Sequence, residues 1–322
     1  MRLLPLHSLD DIYWYSFNDE PIAAISSPLT PRLSDPAFLL PDESPDAIWH
    51  LFAHTWKGIE HYTSTSGLEW KREHLVFPAA HSPFIYKEGN IYYMLFEIHS
   101  RMLKKKGGNS TSSRIMLSSS SDLALWSEPR KVLDSQDVPN ASWRGGKRRI
   151  SHPQLVQWNG RYRLYFGSGE VRMYDTGEKT AGSLMYAESY YLEGPYEIAP
   201  EAVIITDPES KYRNLAAGSV RILACSDGLA AVSCTRYYDR KNGKSRSAMI
   251  LSDSDDGIVF QDATVMQTSP ETGWASGYMT ACDIKYKENE DTWYCYYSAD
   301  GYPDSRLPLR KESLGLLLGK KR

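Results

Sequence analysis

Three stretches of this chain repeat one another: HYTSTSGLEW (61–70), MLSSSSDLALW (116–126) and ILSDSDDGIVF (250–260). Each runs from apolar or aromatic residues through a serine- and threonine-rich segment to a Gly or Asp turn. Each then closes on Trp or Phe, which is β-hairpin chemistry. Ahead of each lies a second recurring pattern: a polar residue and usually proline, an apolar run, a turn, then alternating aromatics. It reads SDPAFLL with AIWHLFAHT, HSPFIYKEGNIYYMLFE, and SHPQLVQWNGRYRLYFGSG. Weaker copies stand in AGSVRILACSDGLAAVSCTRY and MTACDIKYKENEDTWYCYYSAD. KEGN, WNG, SDG and KENED are turn sequences between period-2 strands.

Five copies of a four-stranded unit in 322 residues leave about 64 residues per copy, long for a propeller blade and roomy enough for loops. Small sheets repeated around a ring dispose of exposed strand edges. The expected fold is therefore all-β, with residues 1–322 forming one domain, a five-bladed β-propeller of four-stranded antiparallel blades. The fifth copy shows only three strands, ending in ESLGLLLGKK. The otherwise unpaired DIYWYSFN near the N-terminus is predicted to supply the fourth and clasp the ring shut. Helical periodicity with caps is nearly absent. Three long insertions, at 99–113, 134–149 and 298–313, are expected to be functional or mobile loops. The KKK at 104–106 reads as a solvated tip.

Composition excludes several classes. A formal net charge of −3 with 24% charged residues carries no basic stripe for nucleic acid. No window approaches 18 consecutive apolar residues, so no membrane partner is expected. MRLLPLHSLDD makes a poor secretory signal, and the expected location is the cytoplasm. Aromatics at 12%, with 22 Tyr and 9 Trp, suit either half-buried sheets or sugar-binding surfaces. The four cysteines lack CxxC spacing and sit in apolar or alternating runs, so they read as buried thiols.

The first strand of every propeller blade faces the axis, so residues that open these strands converge on one face. They are Asp35, His81 and Ser82, His152, Gly218 and Ser219, and Tyr278 to Thr280. Second strands end nearby, bringing His54 and Trp56, Glu97 and His99, Ser168 and Glu170, Thr235 and Arg236, and Ser298 and Asp300. The expected result is a polar funnel with aromatic walls.

The repeated DP and HP strand openings, the aromatic second strands and the five-fold count resemble the five-bladed glycosidase superfamily. That superfamily includes glycoside hydrolase families 43, 32, 68 and 117 and the related mannoside phosphorylases. The resemblance implies that Asp35 of SDP is the catalytic base or nucleophile. An Asp is common in the third blade, where SHPQL has His152, and a Glu general acid opens the fourth, where AAGSVRI has Gly218 and Ser219. The resemblance to family 117 implies that His152 serves as an acid.

Glycoside cleavage needs one group to protonate the leaving oxygen and another to activate water or attack the sugar. Proton-donor candidates are Glu97, at the end of an apolar strand where desolvation is expected to raise its pKa, then Glu170, after two glycines, and His152. Trp56, Tyr278 and Trp143 are expected to stack on sugar faces. His54, His81, Ser82, His152, Arg221 and Asp300 are expected to hold hydroxyls or charge. No metal site or other cofactor is expected, because no element carries ligand spacing. WRGGKRR, with Arg144, Lys147, Arg148 and Arg149, is either an exposed loop or a fork for an anion. The expected partner is thus a small carbohydrate, anionic if that cluster serves the site. Phosphorolysis and a silent carbohydrate-binding propeller remain as alternatives, the latter favoured by the missing fourth-blade Glu.

Overall fold

In the computed structural model, which describes residues 3–24, 32–99, 112–143, 147–301 and 311–322, the repeats fold as five four-stranded antiparallel sheets. From the axis outward, blade 1 is Ser34–Leu39, Trp49–Thr55, Gly58–Ser64 and Lys71–Pro78. Blade 2 is Ala80–Glu88, Ile91–His99, Ser113–Ser120 and Arg130–Asp134. Blade 3 is Ile150–Trp158, Arg161–Ser168, Ser183–Ser189 and Glu197–Ile198. Blade 4 is Ala216–Ala224, Leu229–Asp239, Lys244–Ser254 and Gln261–Thr268. Blade 5 is Met279–Lys287, Thr292–Asp300, Glu312–Lys321 and, outermost, Ile12–Ser16. The N-terminal strand pairs antiparallel with the last one, from Ile12 opposite Lys321 to Ser16 opposite Leu317. The predicted clasp is present, and the inner strands of blades 1 to 5 neighbour one another in a closed ring.

The core is divided among the gaps between blades rather than gathered at one centre. Blades 1 and 2 meet over Phe52, Ile85 and Phe96, and blades 2 and 3 over Leu95, Ile150 and Phe166. Blades 3 and 4 meet over Tyr165, Ile222 and Leu229. Blades 4 and 5 enclose Met249, Ile284, Trp293 and the clasp residue Trp14, while blades 5 and 1 enclose Tyr296, Phe38 and Trp49. Packing on both faces explains why the second strand Trp49–Thr55 is buried at every position although its sequence alternates. The four cysteines are free and buried.

The serine-rich repeats are the turns between third and fourth strands. Ser64 Oγ accepts from the Ser66 and Gly67 amides, Ser120 Oγ from Asp122 and Leu123, and Ser254 Oγ from Gly257. Asp122 and Asp256 cap the same turns by accepting from two amides each. Ser189 does this in blade 3, a copy its surrounding sequence conceals. Of the insertions, residues 100–111, including the KKK tip, and 302–310 lie outside the described residues. No described helix is long and apolar enough to cross a membrane.

Candidate active site

Each inner strand carries a register shift near its start, between Ser34 and Ala37, His81 and Phe84, Ser151 and Gln154, Ala216 and Ser219, and Met279 and Ala281. In four of them the bulged residue has left-handed backbone: Asp35 (φ 52), Ser82 (φ 49), His152 (φ 50) and Gly218 (φ 76). Three are followed by proline, which cannot donate to the ladder and so suits a bulge. A non-glycine residue held this way costs about 1–3 kcal/mol and persists only where surrounding structure enforces it. The bulge re-aims the side chain toward the axis, and that placement is the purpose of the DP, SP and HP openings. At Gly218 a Cβ would overlap the Cys234 carbonyl oxygen, so no side chain fits where the resemblance calls for a Glu.

Asp35 and His152 face an axial pit of about 450 Å³, a volume within the range of small-ligand sites. Asp35 is its centre. Ser82 Oγ donates to Asp35 Oδ2 at 3.0 Å, His54 Nδ1 stands 3.4 Å from the same oxygen, and His152 Nε2 stands 3.5 Å from Oδ1. The Asp35 amide donates to Ser298 Oγ. Burial alone would raise the Asp35 pKa, but the His152 and His54 contacts outweigh it and hold the carboxyl well below its usual range. His54 Nε2 lies 2.7 Å from His81 Nδ1. Burial depresses both imidazoles, His81 to about 3, so the pair is neutral. The consistent tautomers have His81 Nδ1–H donating to His54 Nε2 and His54 Nδ1–H directed at Asp35.

Ion pairs frame the pit: Arg32 with Glu312, Arg149 with Glu97, Lys179 with Glu170, and Arg236 with Glu178. The four cations line it, together with Glu178, Glu312 and Asp300. Behind this floor Arg221 is spent on Asp283 at 2.8 Å and Gln154 at 2.6 Å, over the ring of Phe84. Arg221, Asp283 and Gln154 form a buried polar plug.

The structure brings Asp35, His54, His81, His152 and Asp300 together in the pit, with Ser82 bonded to Asp35. It departs from the sequence reading elsewhere. Glu97 is fully buried, and although burial opposes it, the charge of Arg149 and contact with His99 press its pKa down rather than up. Glu170 is turned to Lys179 and does not line the pit, and Arg221 belongs to the plug. Tyr278 is buried, its hydroxyl bonded to Thr176 at 2.9 Å and to Ser245, and its ring covered by Arg236, so no face is open for stacking. Trp56 is exposed beside Arg32 and outside the pit lining. Arg148 donates to the carbonyls of Ser135, Val138 and Pro139, so its fork holds a loop. The Trp143 side chain and Arg144 lie outside the described residues.

Sequence reasoning placed Arg236 at a second-strand end near the axis without giving it a role, and missed Glu312, Glu178 and Arg32. Antiparallel third strands begin where second strands end, so the Glu that opens ESLGLLLGKK was readable as a rim residue. Glu178 and Lys179 reach the pit on a hairpin that pairs Val171–Arg172 with Lys179–Thr180, which no repeat announces.

No protein-family model matches the sequence, and no curated protein matches it either. Solved structures match over nearly the whole chain. An α-L-arabinofuranosidase from Podospora anserina, in complex with cellotriose, is 13% identical with a TM-score of 0.62, covering 98% of each chain. A family 117 glycoside hydrolase from Zobellia galactanivorans is 11% identical with a TM-score of 0.55, covering 96% of this chain and 90% of that one. A family 43 endo-arabinanase from Bacillus licheniformis is 14% identical with a TM-score of 0.55, covering 89% and 94%. The chain therefore has the five-bladed propeller fold of these glycoside hydrolases.

Proposed function

We propose that this chain is a glycoside hydrolase-like enzyme that cleaves small oligosaccharides in the axial pit, with Asp35 as base or nucleophile. The observation that carries the reading is a carboxylate kept ionised by His152 and His54 and aimed by a strained bulge into a pit of about 450 Å³. An ionised carboxylate facing a sugar-sized space is what activation of water or attack on an anomeric carbon requires. Among the described residues, every Arg and Lys lining the pit is paired with a Glu side chain. That pairing favours a neutral sugar over a uronate or sulfated one, and water over phosphate as the attacking species.

The test is a panel of aryl glycosides and oligosaccharides of furanose and pyranose sugars, assayed with and without phosphate, in wild type and Asp35→Asn. α-L-Arabinofuranosides and arabinan fragments belong in the panel because two structural neighbours bear those names. Turnover that drops about 10³-fold in Asp35→Asn supports the assignment; turnover unchanged in that variant ends it. A second reading, a propeller that binds sugar without cleaving it, is favoured by the steric exclusion of any side chain at position 218. It gains if no glycoside is turned over while a sugar raises the melting temperature.

A further inference from the structure

We infer that Glu312, the residue opening the third strand of blade 5, is the proton donor to the leaving group. The inference rests on the glycoside hydrolase reading and moves the acid from the fourth blade, where Gly218 leaves no room, to the fifth. Its place in the fold comes from the backbone. Glu312 pairs across the strands with Asp300, and its carbonyl accepts from the Leu33 amide, two residues before Asp35. Base and acid are thus carried by adjoining strands and line the same pit.

Elimination supports it. Glu97 is clamped by Arg149 through two hydrogen bonds, at 2.6 and 3.0 Å, and is shut off from the pit. Glu170 is turned to Lys179, and Glu178 accepts from the fully buried Arg236 at 2.7 Å. Asp300 Oδ1 accepts from the Tyr278 amide at 2.7 Å, as a carboxylate does. His152 is committed to Asp35. Glu312 is itself paired, with Arg32 from the segment before blade 1, but that cation is 39% exposed to solvent where Arg236, the partner of Glu178, is 1% exposed; the other titratable groups facing it are Asp35 from the inner strand of blade 1 and Asp300 from blade 5. Burial dominates among these influences: it pushes Glu312 up to about 7, with Asp35 and Asp300 adding to the rise and Arg32 opposing it. Glu312 therefore holds a proton at a pH where Asp35 has none.

The step balances. The Glu312 O–H passes its proton to the glycosidic oxygen as the bond from that oxygen to the anomeric carbon breaks. The leaving group departs as an alcohol and Glu312 becomes a carboxylate. Water adds to the anomeric carbon either directly, with Asp35 taking its proton, or after Asp35 has bonded to that carbon, in which case the Glu312 carboxylate takes the water proton as Asp35 is displaced.

A proton donor matters in proportion to how poor the leaving group is, so the test compares an alkyl glycoside with the 2,4-dinitrophenyl glycoside of the same sugar. Glu312→Gln is expected to slow the alkyl glycoside about 10³-fold and the dinitrophenyl glycoside far less. Wild type should show an alkaline limb in kcat/KM near pH 7 with the alkyl substrate and lose that limb with the dinitrophenyl one, a readout that survives even if the variant fails to fold. Equal slowing of both substrates by Glu312→Gln, or the same alkaline limb with both, overturns the donor role. Asp35→Asn separates the two claims. If it abolishes both reactions while Glu312→Gln slows both alike, the hydrolase reading stands and the donor lies elsewhere. If wild type cleaves neither substrate class in the panel, both fall.

Discussion

At the residue scale, opposite environments act on two carboxyls that line one pit. Asp35 is buried yet ionised because His54, His152 and Ser82 direct hydrogens at it; Glu312 is buried with a single cation and two neighbouring carboxylates, and its pKa rises. Separation of two carboxyl pKa values by environment is how acid and base roles divide at neutral pH. Removing one donor should weaken the Asp35 arrangement in a defined direction. His152→Ala is expected to raise the Asp35 pKa, moving the acid limb of kcat/KM upward by on the order of one pH unit while leaving the alkaline limb near pH 7, set by Glu312, in place. A pH–rate profile checks this, and an unmoved limb would mean Asp35 is not the group titrating there. Asp35, His81, Ser82 and His152 were readable as axis residues because each stands at a polar strand opening. The fates of Glu97, Glu170 and Arg221 were not readable. Whether a carboxylate at a strand end becomes an acid or an ion-pair partner depends on Arg149 or Lys179, which the chain brings from another blade or another strand.

At the element scale, the recurring device is the bulge at the start of each inner strand, and its demands differ from blade to blade. Blade 4 tolerates only glycine. Gly218→Ala is expected to cost about 2–4 kcal/mol in equilibrium unfolding, through overlap with the Cys234 carbonyl and a left-handed φ. Gly160→Ala, with φ +73 but nothing within 4 Å of the new methyl, should cost only about 1 kcal/mol. Similar losses from both would remove the steric argument. The second device is the clasp. Trp14 is buried against Trp293, with ring centroids 6.4 Å apart, and Leu6 donates its amide to Asp227, fastening the N-terminal segment to blade 4. Trp14→Ala should lower stability by about 3–5 kcal/mol, read by denaturant unfolding, because the ring is held shut through this strand. The clasp was legible as a leftover strand pattern. The 171–180 hairpin was not, since two-residue strands leave no periodicity to detect.

At the scale of the whole molecule, a propeller buries histidines that a single open sheet would expose. His50 and His61 lie stacked in blade 1 with Nδ1 to Nε2 at 2.8 Å, and Asp46 accepts from His50 at 2.7 Å. Burial, with the neighbouring histidines, lowers His61 to about 3; His81 reaches a similar value, and His54 is lowered as well. A histidine depressed in the native state binds its proton more tightly when unfolded, so stability is lost as pH falls below about 6.5. Asp35 and Glu97, also depressed, add losses at still lower pH. Glu312 acts in the opposite sense, its native proton costing stability as pH rises from about 4.5 to about 7. The histidines are more numerous, so the melting temperature should fall steadily from pH 7 to pH 5, with stability declining by on the order of a few kcal/mol. A flat profile would show that these imidazoles are not buried neutral. Sequence alone determined the five-fold strand repeat, the clasp and the polar residues aimed at the axis, because period-2 patterning and turn chemistry are local and act before any long-range contact. Only the tertiary structure decided which charges neutralise one another and that Glu312 shares a pit with Asp35. Those pairings join residues up to 280 positions apart in the chain, Arg32 and Glu312, and the burial that tunes them exists only once the ring is closed.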